Sequence, residues 1–233
     1  MKSKYGSTAI LAFGLSIAAW GQQNAPAPAA PADSGPTLAA TMQYIQEKLS
    51  GQGQVGWAET YSNKPGWTQR ELILVSDVMA DPAACTLYTT ETVDFSFDLP
   101  QGKTFSRGGK PVTADDLRTH TVEMDTTSFK QIEKITVERL EDITHQALVD
   151  DAHPEVTVTV TPPVFYVMLS SSSAVFSAHT STTHGSQAPV EKDAASKTNG
   201  LTFRDQDTAN RVAKAMIHAM ELCGGGVTKK ELF

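Results

Sequence analysis

The sequence predicts an α+β domain: a curved antiparallel sheet, or partly open barrel, of about six or seven strands with a helix at each end. Apolar residues recur at helical spacing near both ends of the domain, whereas the segments between them alternate apolar and polar residues. Many strands followed by one C-terminal helix indicate an antiparallel sheet that a helix covers.

The first helix is predicted over about residues 37–50. Its apolar stripe is formed by Leu38, Met42, Ile45 and Leu49. Thr37 can cap the start of this helix and Gly51 can end its last turn.

The last helix is predicted over residues 205–223, with Asp205 as its N-cap and Gly224 at its end. Its apolar face is formed by Ala209, Val212, Ala213, Met216, Ala219, Met220 and Cys223. Small alanines and flexible methionines suit close packing against a sheet.

The clearest strand runs from Cys85 to Phe97, where apolar residues alternate with polar ones, and it can bend near Glu91. A turn at 162–163 contains two prolines and marks a bulge, a corner or a sheet edge. Further strands are predicted at residues 72–76, 120–125, 135–140, 156–161 and 164–169.

The N-terminal residues 1–21 have the features of a cleavable signal peptide. Lys2 and Lys4 precede the apolar run from Ala9 to Trp20, and Ala19 and Gly21 supply the small residues before the cleavage point. We therefore expect export to the periplasm or the extracellular space. No later stretch has the length and apolar composition of a membrane span.

Residues 22–36 are rich in alanine and proline and predict a disordered tether. Residues 37–233 then form a single α+β domain. Within it, the segment at about 177–199 is rich in serine, threonine and alanine and predicts a mobile surface loop.

The charge of the chain restricts its partners. With 19 basic and 26 acidic residues the net charge is −7, and the largest basic cluster is the pair Lys229–Lys230. Nucleic acids and anionic membranes select basic surfaces, so no nucleic-acid partner is expected. The expected partner is a protein or a small ligand of the cell envelope.

Cys85 and Cys223 are the two cysteines of the chain. In an oxidising compartment they have one intramolecular pairing, so a disulfide between them is predicted. It would join the last helix to the sheet. The alternative is two separately buried, inert thiols.

The sequence contains no recognisable catalytic, metal or cofactor motif. His179 and His184, with Asp193, lie in a polar segment whose spacing is weak for a metal site or a serine triad. The tryptophans Trp57 and Trp67 flank a turn and are candidate ligand contacts, although such residues often complete a core.

Two resemblances bear on the fold. The segment from Phe203 to Met216, followed by Leu222-Cys223-Gly224-Gly225, is similar to the C-terminus of a group of uncharacterised exported bacterial proteins. Weaker similarity covers residues 42–49 and 81–85. The order of elements resembles the pleckstrin-homology-like barrel. These resemblances imply no catalytic residues.

These observations predict an exported, non-catalytic binding or interaction module. One alternative is a secreted hydrolase whose site is assembled only in three dimensions, with two or more of His120, His145 and His153 meeting an acid in a pocket. Another is an envelope structural protein that self-associates through a sheet edge.

Overall fold

The computed structural model describes residues 35–100, 105–107 and 110–225 and confirms the α+β class. The predicted signal peptide and nearly all of the predicted tether lie outside these residues. The helices are α1 (Leu38–Gly51), α2 (Leu140–Asp150) and α3 (Gln206–Leu222). The strands are β1 (Gln54–Tyr61), β2 (Thr68–Asp81), β3 (Thr86–Asp98), β4 (Phe105–Arg107), β5 (Lys110–Val112), β6 (Thr119–Ser128), β7 (Lys134–Arg139), β8 (Val158–Thr161), β9 (Phe165–Ser170), β10 (Phe176–His184), β11 (Val190–Ser196) and β12 (Thr198–Phe203).

The main sheet has seven strands in the order β11-β10-β6-β3-β2-β1-β8, and every neighbouring pair is antiparallel. The sheet is not closed, because β11 and β8 are its two edges. A β-bulge between Val75 and Asp77 shifts the register of β2 against β3. Such a bulge bends the strand and increases the local twist, which curves the sheet.

A smaller antiparallel sheet, in the order β12-β9-β7, packs against α3, and Tyr166 of β9 contacts Trp57 of the main sheet. Helix α3 packs on this small sheet and on α1, and α1 in turn packs on β2. Thr37 and Asp205 cap α1 and α3 as predicted, accepting hydrogen bonds from the backbone nitrogens of Ala40 and Thr208. The first and last helices therefore share one apolar core.

The predicted disulfide between Cys85 and Cys223 is present, with the two Cα atoms 5.9 Å apart. Cys85 lies in the turn between β2 and β3, and Cys223 follows the last residue of α3. The carbonyl oxygen of Cys85 also accepts a hydrogen bond from the backbone nitrogen of Phe129 at 2.9 Å. The bridge thus joins the end of α3 to the β2–β3 turn.

The prediction of a surface loop at about 177–199 is wrong, because this segment forms most of β10 and all of β11. These strands are at an edge of the main sheet, and β11 is exposed along its full length. Because β11 is solvated on both faces, its sequence has no alternation of apolar and polar residues that would indicate a strand. The threonines of β10 and Val190 of β11 still favour extended backbone.

The helices of the described residues include none that is both long and apolar enough to cross a membrane.

Candidate functional site

The two faces of the main sheet differ in their cover. Trp57 and Ile73 lie on the face that also contacts Tyr166 of β9, and we call this the inner face. The register places Trp57 opposite Glu71, and Glu71 opposite Phe95, so alternate residues of β1, β2 and β3 share this face.

A cavity of about 480 Å³ opens at one end of the inner face. We call it the aromatic pocket because three rings line it, those of Tyr61, Trp67 and Phe97. Leu117, Leu148 and Val156 complete its apolar wall, and Asn63, Lys64, Gln69 and His153 supply polar groups. Its lining residues come from β1, β2, β3, the turn between β1 and β2, the short 3₁₀ helix Asp115–Leu117, α2 and the segment that follows α2.

The turn that carries Trp67 is held in place by backbone contacts. The nitrogen of Trp67 donates to the carbonyl of Lys64 at 3.1 Å, and Ser62 exchanges two hydrogen bonds with Thr157, both at 3.0 Å. Gly66 has a φ of +80°, which favours glycine. These restraints fix the mouth of the aromatic pocket before any ligand binds.

The two tryptophans proposed as ligand contacts have different surroundings. Trp67 lines the aromatic pocket, whereas Trp57 is only 4% exposed and lies in the core. The Trp57 indole nitrogen donates to Glu59 Oε1 at 3.0 Å, and its ring packs edge-on against Tyr166. Trp57 therefore supports the sheet behind the pocket, and Trp67 can reach a ligand.

Tyr61 connects the aromatic pocket to a buried carboxylate. Its hydroxyl donates to Glu59 Oε2 at 2.6 Å, so both carboxylate oxygens of Glu59 accept a hydrogen bond. Lys64 Nζ lies 5.8 Å from the centre of the Tyr61 ring. Burial, followed by the Glu59 contacts, raises the pKa of Tyr61. The phenol therefore stays protonated and orients Glu59.

The inner face carries further acids, and we call the set the carboxylate row. Its members are Glu59, Glu71, Glu91, Glu123 and Asp125. Glu91 lies directly opposite Glu123 in the register, and Thr89 lies opposite Asp125. Carboxylates this close destabilise one another when both are charged.

Burial raises the pKa values of four members of the carboxylate row, and the charge of a neighbouring acid adds to the shift in three of them. Burial and then Glu59 raise the pKa of Glu71 to about 7. Burial, Asp125 and Glu123 raise the pKa of Glu91 to about 8. Burial and then Glu123 raise the pKa of Asp125 to about 7, and burial raises that of Glu123. The inner face therefore retains protons near neutral pH.

The histidines of the sheet do not converge. His179 lies between Asp193 and Glu191, with nitrogen–oxygen distances of 2.7 and 3.2 Å, and chiefly the Asp193 hydrogen bond raises its pKa. His184 is five residues further along the same strand and so lies on the opposite face. The residues described by the structure contain no cluster of three His, Cys, Asp or Glu side chains arranged to hold a metal.

The three histidines that a hydrolase site was expected to gather are also dispersed. His120 Nδ1 lies 2.7 Å from Asp94 Oδ1. Asp94 alternates with Val93 and Phe95 of the inner face, so this pair lies on the opposite face of the main sheet. His145 is part of α2, and His153 lines the aromatic pocket. Of these three, His153 alone is at the pocket.

No family model, curated protein or solved structure matches this chain. Its function is therefore inferred from the aromatic pocket and its surroundings. Sequence reasoning missed Tyr61 and Glu59 at this site. The alternation of Trp57, Glu59 and Tyr61 is the signal that places them on one strand face.

Proposed function

We propose that this protein is an exported, non-catalytic binding module that holds a small saccharide in the aromatic pocket. The observation that carries the proposal is the grouping of three aromatic rings around one cavity of about 480 Å³. This volume is within the range of about 300–1,000 Å³ that small-molecule sites occupy. Export rests on the predicted signal peptide and is consistent with the disulfide.

The saccharide class follows from the combination of groups at the pocket. Tyr61, Trp67 and Phe97 offer flat surfaces on which the apolar face of a sugar ring can stack. Asn63 and Gln69 carry amides that both donate and accept hydrogen bonds, which matches the hydroxyls at a sugar edge. Hydrophobic walls with few polar groups are typical of ligand sites.

Binding is tested by titrating the protein with a panel of mono- and oligosaccharides under calorimetry. Trp67→Ala removes a stacking surface, so we expect an affinity loss of about tenfold or more for the best ligand. Tyr88→Ala is the matched control, because Tyr88 is a partly exposed aromatic residue away from the pocket. Equal affinities of the two variants would contradict the proposal.

Glycoside hydrolysis is a second candidate function, favoured by Glu59 and Glu71. The two carboxyls interact, and the raised pKa of Glu71, about 7, suits a proton donor. Glu59 accepts hydrogen bonds from the Trp57 indole nitrogen and the Tyr61 hydroxyl, which hold its carboxylate in place.

If the protein is a glycoside hydrolase, it should release nitrophenol from nitrophenyl glycosides. Glu71→Gln should then lower kcat at least about a hundredfold. Glu221→Gln, an exposed acid on α3, is its control. Saccharide binding without turnover by the unaltered protein would leave the binding module as the function.

Self-association has less support. The exposed edge strand β11 carries Glu191, Lys192 and Asp193 in succession. Charged residues on an edge strand oppose pairing with a second chain.

A further inference from the structure

A second cavity lies between α1 and α3. Its volume is about 490 Å³, and we call it the helix groove. Pro36, Ala40, Tyr44 and Ala215 form its apolar surface. The groove shares none of its lining residues with the aromatic pocket.

Thr41 lies in the wall of the helix groove. Its side chain is 3% exposed, and its Oγ1 is buried and has no hydrogen-bond partner among the described residues. This hydroxyl is out of reach of a ligand in the groove. Recognition of a ligand head group therefore falls to the charged side chains around the groove.

The charge around the groove is positive although the chain as a whole is acidic. Lys214 and His218 lie one turn apart on α3 and both line the groove. Lys48 Nζ lies 5.5 Å from the centre of the Tyr44 ring. His218 Nε2 lies 2.9 Å from the carbonyl oxygen of Pro36, which fixes this ring at the rim. No carboxylate is among the described residues that line the groove.

We propose that the helix groove binds a single-chain amphiphile with a carboxylate head, such as a medium-chain fatty acid. The carboxylate pairs with Lys214 at the groove. The hydrocarbon chain lies against Ala40, Tyr44 and Ala215. This site is additional to the saccharide site and does not depend on it.

The test is calorimetric titration of the protein with dodecanoate below its micelle concentration, beside dodecyltrimethylammonium, which has the same chain and the opposite charge. We expect dodecanoate to bind and the cationic probe to bind at least about tenfold more weakly. Equal binding of the two probes, or no binding of dodecanoate, overturns the proposal.

Two pairs of variants locate the site. Lys214→Glu reverses an exposed charge at the groove and is expected to weaken dodecanoate binding about tenfold. Lys192→Glu makes the same change on β11 and is expected to leave binding unaltered. Equal effects of these two variants would show that only net charge matters and would overturn the site.

Tyr44→Ala removes part of the apolar surface of the helix groove, so dodecanoate affinity should fall about fivefold. Tyr88→Ala removes an exposed aromatic side chain away from the groove and should leave the affinity unaltered. Trp67→Ala should leave dodecanoate binding unchanged. If Trp67→Ala abolishes it instead, the probe occupies the aromatic pocket and the helix groove is not its site.

Discussion

The two cores of the domain are built on different principles. The larger one joins α1, α3 and the small sheet with fully buried residues such as Met42, Leu169 and Met216, and the disulfide lies beside it. The smaller one packs Val55, Ile73 and Val160 on the inner face of the main sheet, next to the carboxylate row. The first combines apolar contacts with a covalent bond, whereas the second lies beside acids, among them Glu71.

This difference shows how the domain divides its tasks. The disulfide-linked core consists of apolar residues and joins the first and last helices. The inner face carries five acids and also forms one end of the aromatic pocket through Tyr61, Gln69 and Phe97. The acidic part of the domain thus borders the aromatic pocket, whereas the helix groove lies between the two helices of the apolar part.

The largest expected effect comes from removing the disulfide. The Cys85–Cys223 bridge spans 138 residues of sequence, and the chain-entropy treatment assigns such a closure at most about 5 kcal/mol. The double variant Cys85→Ser with Cys223→Ser should therefore lower Tm by roughly 10 °C or more. Thermal unfolding followed by circular dichroism measures this change.

Reduction of the unaltered protein is the control for that variant. A reductant should lower Tm of the unaltered protein and leave the double variant unchanged. If the double variant melts at the temperature of the oxidised protein, the apolar contacts of the larger core alone hold α3 in place.

The next effect is the dependence of stability on pH. Glu71 and Asp125 have pKa values of about 7 and Glu91 of about 8, all above those of free carboxyls. Between pH 5 and pH 8 the folded chain therefore holds more protons than the unfolded chain, and stability falls as pH rises. We expect a loss of about 3 kcal/mol over this interval.

Urea unfolding at several pH values checks this trend. The raised pKa of His179 acts in the same direction, whereas the lowered pKa values of Asp116, Glu133 and Asp205 remove stability only at more acidic pH. Maximum stability is therefore expected near pH 5. A maximum above pH 7 would show that the carboxylate row is charged in the folded protein.

The smallest effect tests one member of the row. Glu91 is 8% exposed and faces Glu123, so Glu91→Gln should leave stability unchanged at pH 5 and raise it by about 1–2 kcal/mol at pH 8.5. Glu221→Gln removes the same charge from an exposed site and should show no such dependence. The same gain for both variants would mean that net charge, and not burial at Glu91, controls the pH effect.

The elements that the sequence revealed are those that bury a regular apolar pattern. Helix α3 shows its stripe from Ala209 to Met220, and its cap Asp205 marks where it begins. The disulfide was predicted from the presence of two cysteines in a chain with a predicted export signal. These features depend on local spacing or on composition, which a single sequence displays.

The elements and residues that were missed break this pattern. Glu59 is buried in β1 at a position where alternation would require an apolar side chain, and β1 was not predicted as a strand. Strand β3 was predicted although the buried Glu91 interrupts its apolar face. Helix α2 has no buried residue, and β11 is exposed throughout. The carboxylate row joins four strands, and only the register between them brings its members together.

The shared core of α1 and α3 also bears on how the chain reaches its folded state. Met42, Ile45 and Leu49 of the first helix pack with Val212, Met216 and Met220 of the last one. Until the last helix has been synthesised, the three residues of the first helix lack part of the apolar surface that covers them in the folded protein. Contacts between segments so distant in sequence also form slowly. A growing chain therefore carries a partly uncovered apolar helix through most of its synthesis, and transiently exposed apolar surface of this kind promotes aggregation.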